Sequence, residues 1–349
     1  MRTISAGEGA DTERRGGAVP TRAALPFLLL TGLLSAGACG EEGPTVPAAI
    51  ERPILYQSGG RIIAVDTTGA DDAVLVDDQA EHVIHRAYWS PTGTHLLTAE
   101  RERAPGSKLE AVVRAADGSM RVLVSDPARE PDDWPIWSPD GSRVAYTSRS
   151  QLFVVNRDGT NHVQVNADSA YAIDPHWSPQ GDWIVYLGQV DGEIGVVRVR
   201  PDGAGRQMVR VTGPNTASHP RFSPDGRRIA FVESNDIWVM NADGTGLTAI
   251  TSTPSEGDDS PRWSPDGRYL AHDTDAGSYW GVAVVDVASG VRTDLFSHAS
   301  MDVRYAAWAP DSRRLAFDPE IGIGIGILGA DQEWVGAGPG SRPDWHPGR

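Results

Sequence analysis

The 349-residue sequence contains a single cysteine, Cys39, so no disulfide can form within the chain and the usual cysteine-rich zinc sites are excluded. It also lacks basic character. Lys and Arg number 31 against 47 Asp and Glu, a net charge of −16, which is the wrong sign for holding a nucleic-acid backbone. An acidic balance fits a solvated surface, with a cationic partner or a divalent metal as alternatives. No amphipathic helix of three turns is evident after residue 40, and no apolar run reaches the roughly 20 residues that a membrane-spanning helix needs. Three catalytic signatures are missing as well: the Gly-x-Ser-x-Gly elbow, the Walker phosphate loop and His-Glu-x-x-His. From these absences neither a cofactor nor a catalytic residue is expected.

What is present begins with an export pattern. Residues 23–34 (AALPFLLLTGLL) form an apolar stretch of signal-peptide length, preceded by Arg14, Arg15 and Arg22. Small residues, Ser35 to Ala38, lead to Cys39. This resembles a bacterial lipobox, with Ala36 where Leu is usual, and it implies lipidation of Cys39. Ordinary cleavage and plain secretion is the alternative. Residues 1–38 are therefore read as a signal of lipoprotein type and residues 39–52, polar and rich in Pro and Gly, as a tether. The folded domain is expected over residues 53–349.

That domain is repetitive. Gly (39), Pro (25) and Trp (11) are abundant, and they recur in one motif. Trp89-Ser-Pro-Thr-Gly93 is followed by Trp137-Ser-Pro-Asp-Gly141, Trp177-Ser-Pro-Gln-Gly181, Phe222-Ser-Pro-Asp-Gly226, Trp263-Ser-Pro-Asp-Gly267 and Trp308-Ala-Pro-Asp-Ser312, with a stub, Trp345-His-Pro347. Spacings of 48, 40, 45, 41, 45 and 37 residues match propeller blades of four short strands. Apolar segments such as Arg143–Thr147 and Gln151–Asn156 follow each motif, then an Asp-Gly turn such as Asp158-Gly159. Ile321–Leu328 (IGIGIGIL) fits the third strand of the last unit rather than a nucleotide loop.

Residues 54–57, 61–66 and 73–76 look like the second, third and fourth strands of a unit without a motif strand. Residues 342–347 supply the missing one. The fold is therefore expected to be an all-β propeller of seven four-stranded blades, its ring closed by the C-terminal strand, with six blades as the alternative. Over residues 53–347 the units resemble the WD-like propeller repeats of the TolB family and of prolyl-oligopeptidase-type enzymes. The first resemblance implies an exported, envelope-facing propeller. TolB proteins themselves have six blades and a separate N-terminal α/β domain, so an orthologous Tol–Pal role is not implied.

The motif residues have mechanical roles: Trp as an anchor between blades, Pro and Asp-Gly to form the turn. Candidate binding residues lie just before them, where an inner strand would border the channel: His85, Arg86, Asp132, Asp133, Asp174, His219, Asp258, Asp259, Arg304 and Arg342. Their convergence at one channel mouth would make a concave polar site. The expected function is a monomeric, non-catalytic envelope binding or scaffold protein that engages a protein or cell-wall partner through one rim. It would meet the membrane through its lipid alone and would not bind nucleic acid. One alternative is a metal-dependent lyase or lactonase acting on a carbohydrate-derived substrate, with His85, His176 and His219 as candidate ligands. Another is a sensor of small ligands in the channel. The loops Ala99–Lys108 and Ser252–Ser260 are candidate rim elements.

Overall fold

A four-stranded unit with apolar residues on both faces can bury them only against neighbouring units, and a ring of such units leaves no unit at an end. A computed structural model shows this outcome. It describes residues 53–346 apart from 68–71, 78–80, 118, 127–130, 132–134, 167–170, 215, 253–256, 276, 278, 297–301, 319–322 and 330–340. The expected signal and tether, Cys39 included, lie outside the described residues. No helix occurs among the described residues.

Seven antiparallel sheets form a seven-bladed β-propeller. In blade 1, Ser341–Trp345 pairs with Ile54–Ser58, followed by Arg61–Val65 and Asp72–Asp77. Blade 2 runs from His82–Trp89 through His95–Glu102 and Leu109–Ala115 to Arg121–Leu123. Blades 3, 4, 5 and 6 start with Ile136–Trp137, Ala172–Trp177, Ala217–Phe222 and Asp258–Trp263. Blade 7 starts with Arg304–Trp308 and has three described strands, the third being Gly324–Ile327. The expected seam is present: Ile54 pairs with Trp345 and Leu55 with Asp344. Residues 99–102, expected as loop, instead extend the strand His95–Glu102, leaving a shorter rim segment of 103–108. In the second expected loop, residues 258–260 are strand and 253–256 lie outside the described residues.

The motif aromatic of each blade packs against the preceding blade. Trp177 joins Leu152 and Val154 of blade 3, Phe222 joins Val185 and Leu187 of blade 4, and Trp263 joins Val232 and Val239 of blade 5. The same contact closes the ring. Trp345 packs with Ala316 and Ile325 of blade 7, and Trp89 with Leu55 and Ile62 of blade 1. Hydrogen bonds fix the rings in place: the indole N–H of Trp263 donates to the Arg221 carbonyl at 3.2 Å, and that of Trp308 to the Arg262 carbonyl at 3.0 Å. Arginines cap three anchors from the neighbouring blade. Arg143, Arg228 and Arg314 lie 4.9, 4.6 and 5.3 Å from the ring centres of Trp177, Trp263 and Trp345.

The rest of the motif makes its own turn. Ser138 Oγ donates to Asp140 at 2.6 Å and accepts the Arg143 N–H at 2.9 Å. Gly141 takes φ +67°, which glycine adopts without penalty; in the last motif Ser312 is held at +57° instead. Where Gln180 replaces the motif Asp, Asp182 accepts from Ser178 at 2.7 Å and restores the lock.

At the seam, Asp344 accepts the Trp89 N–H at 2.8 Å. Burial pushes its pKa up to about 6, with the Trp89 N–H and the Arg86 charge opposing the rise. A raised acid pKa means the folded ring keeps a proton that the unfolded chain has released. Asp344 therefore withdraws stability as pH rises from 3.8 toward about 6. Two outcomes follow at this seam. Trp345→Ala should cost about 3–5 kcal/mol in denaturant unfolding, as removal of a buried indole does; an unchanged midpoint would mean the C-terminal strand does not close the ring. Asp344→Asn keeps an acceptor without the charge, so its melting temperature relative to wild type should climb by a few degrees between pH 4 and pH 7.5.

Candidate functional site: the channel mouth

From blade 3 through blade 7 to blades 1 and 2, each first strand contacts the next, and together they border a cavity of about 750 Å³. An undistorted strand would show this cavity only alternate residues. These strands are bulged. Register shifts fall between Ile173 and His176, Ser218 and Arg221, Asp259 and Arg262, and Arg304 and Ala307. Three residues before the motif aromatic, in five blades, the backbone is left-handed: Asp174 (φ 52°), His219 (52°), Ser260 (51°), Tyr305 (59°) and Arg342 (58°). Such a residue costs roughly 1–2 kcal/mol. Carboxylates of the preceding blade offset the strain at three of them: Asp174 accepts the His219 N–H at 3.2 Å, Asp273 the Tyr305 N–H at 3.1 Å and Asp318 the Arg342 N–H at 3.2 Å. The bulge lets adjacent side chains, such as Asp259 and Ser260, both reach the cavity.

Six of the ten residues singled out in the sequence line this cavity: Arg86, Asp174, His219, Asp259, Arg304 and Arg342. Two others are placed differently. His85 is exposed and outside the lining, its pKa lowered by partial burial and by the Arg101 and Arg342 charges. Asp258 turns into its blade, where it is buried 3.2 Å from the equally buried His272. It sits one residue before Asp259, and it does not line the cavity. Asp132 and Asp133 lie outside the described residues.

The structure adds lining residues that the sequence pattern did not single out as binding positions. Tyr88, Arg221 and Arg262 directly precede the motif aromatics, as does His176, named above only as a candidate metal ligand, and Asp273 and Tyr305 also line the wall. The signal was available at the position before each anchor, but a polar residue there reads as the solvent side of a strand. His176 is enclosed; burial and then the Arg221 charge push its pKa down to about 3, so the ring is neutral and its Nδ1 can accept the Phe222 N–H at 3.3 Å. His219 Nδ1 lies 2.9 Å from Asp259. Burial works to raise Asp259, yet the His219 bond and charge bring its pKa below the usual value.

Charge of both signs lines the wall. Arg304 of blade 7, Arg342 of blade 1 and Arg86 of blade 2 form one arc with Tyr305 and Tyr88. The Arg342 and Arg86 guanidinia stand 4.9 and 5.9 Å from the Tyr305 ring centre, and Arg86 stands 5.0 Å from that of Tyr88. Across blades 4 to 6 the wall carries Asp174, His219, Asp259 and Asp273 together with Arg221 and Arg262. Five arginines and three aspartates line the cavity among the described residues, so it is cationic within an acidic protein. Among the described residues no three His, Cys, Asp or Glu side chains are grouped to hold a metal ion, and the trio His85, His176 and His219 does not assemble, since His85 lies outside the cavity.

Residues 152–319 match the family model of the TolB beta propeller domain. The chain is 33% identical over 105 residues to a TolB homolog of Chlorobium luteolum, a match covering 29% of this chain and 23% of that protein. It is 31% identical over 106 residues to dipeptidyl-peptidase 5 of Porphyromonas endodontalis, covering 27% of this chain and 15% of the peptidase. The chain thus spans less than a quarter of either relative's length. Among solved structures, an oligogalacturonate lyase in complex with manganese aligns with a TM-score of 0.58 at 15% identity, over 83% of this chain and 84% of the lyase. At that identity the likeness is one of fold. The chain is thus a seven-bladed β-propeller whose residues 152–319 resemble the TolB beta propeller domain, with low and partial identity to TolB proteins.

Proposed function

We propose that this protein is a non-catalytic binding platform of the bacterial envelope that engages a protein or cell-wall partner at its channel mouth. The observation that carries the reading is the convergence of Arg86, Asp174, His219, Asp259, Arg304 and Arg342, from six blades, on one cavity. A rigid ring presenting convergent polar groups on strained inner strands is suited to recognition, because the frame holds them without help from a ligand. The likeness to TolB proteins and the apolar segment before Cys39 both favour an exported protein, and Cys39 is the proposed lipid attachment point. The fold of the manganese-bound lyase raises a catalytic alternative, but the described residues supply no three-ligand group for a metal.

Capture from crosslinked cells tests the interface. An Asp174→Ala/Asp259→Ala/Arg304→Ala variant should recover the wild-type partners at least about tenfold less well, the loss expected when charged anchors of an interface are truncated. Equal recovery would remove the channel mouth from the interface. Cys39→Ser should move the protein from the membrane fraction to the soluble fraction, and persistent membrane association would overturn the lipid anchor.

A further inference from the structure

We infer that the channel cavity takes a short, uncharged saccharide, held by its hydroxyl groups and by the apolar faces of its rings. The inference rests on the reading of the channel mouth as the binding site and names the chemistry of what enters it. Its ground is which groups of the wall are already engaged. The charged ones are. Arg262 donates to the Ser260 carbonyl at 3.3 Å and stands 3.7 Å from Asp273. Arg304 lies 3.5 Å from Asp302, with its guanidinium 4.0 Å from the Trp280 ring centre. Asp259 holds His219 at 2.9 Å, and Arg86, Arg221, Arg342 and Asp174 have partners of their own. A charged ligand would have to displace such partners, leaving desolvated charge behind.

What remains open is uncharged and both donates and accepts. The hydroxyls of Tyr88, Tyr305 and Ser260, all in the wall, make no hydrogen bond with any described residue, and the three side chains are half-buried rather than enclosed. A hydroxyl offers one donor and two acceptor sites. His176 accepts the Phe222 N–H on Nδ1, so its neutral ring carries the proton on Nε2. His219 donates its Nδ1–H to the ionised Asp259, and the Nε2 of the neutral ring then accepts. Groups of this kind match sugar hydroxyls, which likewise donate and accept, whereas a carboxylate or phosphate uses donors alone. Trp137, Pro139 and Pro179 line the same cavity, and Trp137, only half-buried, offers ring surface to the C–H face of a pyranose. The cavity, about 750 Å³, is of the size that small-molecule sites occupy.

Maltose, cellobiose, lactose and chitobiose are the probes. Trp137, Trp177 and Trp263 line the cavity, so tryptophan fluorescence of the full protein reports binding. At least one probe should give a saturable change at millimolar concentration, and its affinity should alter less than about twofold between about 0.05 M and about 0.5 M salt. Two charged analogues, digalacturonate and the glucosamine dimer, should bind at least about tenfold more weakly. Tyr88→Phe and Tyr305→Phe each remove a hydroxyl and keep the ring on which Arg86 and Arg342 stack, so the propeller should stay folded. Each should weaken the bound sugar by about threefold to tenfold, and the double variant more than either. No saturable response to any of the four sugars would overturn the inference. So would equal or tighter binding of a charged analogue, or a loss of about tenfold in high salt. Unchanged affinity in both tyrosine variants would put the sugar elsewhere and overturn it too. If no sugar binds while the triple variant still loses its captured partners, this inference falls alone. If a sugar binds while capture is unaffected by the triple variant, the partner-binding reading falls instead.

Discussion

The anchor aromatic that ends each inner strand sits in the apolar seam of the preceding blade, and the ring hangs from that contact. An isolated four-stranded sheet of this composition would expose Val, Ile and Leu on both faces. Inserting an indole into the seam buries about 150–250 Å² of aromatic surface and excludes water from both blades at once. The indole N–H bonds of Trp263 and Trp308 and the arginine caps on Trp177, Trp263 and Trp345 then fix its orientation. Because every blade depends on the next, the array is stable only when closed. The strand Ser341–Trp345 supplies the last anchor from the far end of the chain.

The same contact creates the strain from which the candidate site is made. The anchor fixes the end of the inner strand, while pairing with the second strand fixes its start. The bulge between them absorbs the mismatch. Left-handed residues at Asp174, His219, Ser260, Tyr305 and Arg342 are tolerated where they are because a neighbouring blade can supply a carboxylate to their N–H groups, as at His219, Tyr305 and Arg342. Carboxylates needed for that mechanical purpose thus sit beside the cavity together with arginines and tyrosines. Structure and recognition draw on the same residues here, and for that reason Asp174 cannot be assigned to one role alone.

Much of the architecture was legible because a repeat is a local signal. The Trp-Ser-Pro-Asp-Gly period fixed the blade count, and the unpaired segments at the two ends fixed the seam. The site was legible in part. Arg86, Asp174, His219, Asp259, Arg304 and Arg342 stand in register before their anchors, and register carried them to one cavity. Asp258 was misjudged because it is buried against His272, and its neighbour Asp259 takes the cavity side. Tyr88, Arg221 and Arg262 were missed because a polar residue directly before an anchor reads as the solvent side of a strand.

The sequence by itself determined the blade period, the turn chemistry and the closure by Trp345, since each depends on residues a few positions apart or on a count of units. Only the tertiary structure decided the sign of the channel. A net charge of −16 fits a solvated acidic surface, yet the channel wall is cationic. Charge in a cavity is set by the few side chains that seven separate blades direct inward, and neither composition nor spacing records which way a bulged strand turns them.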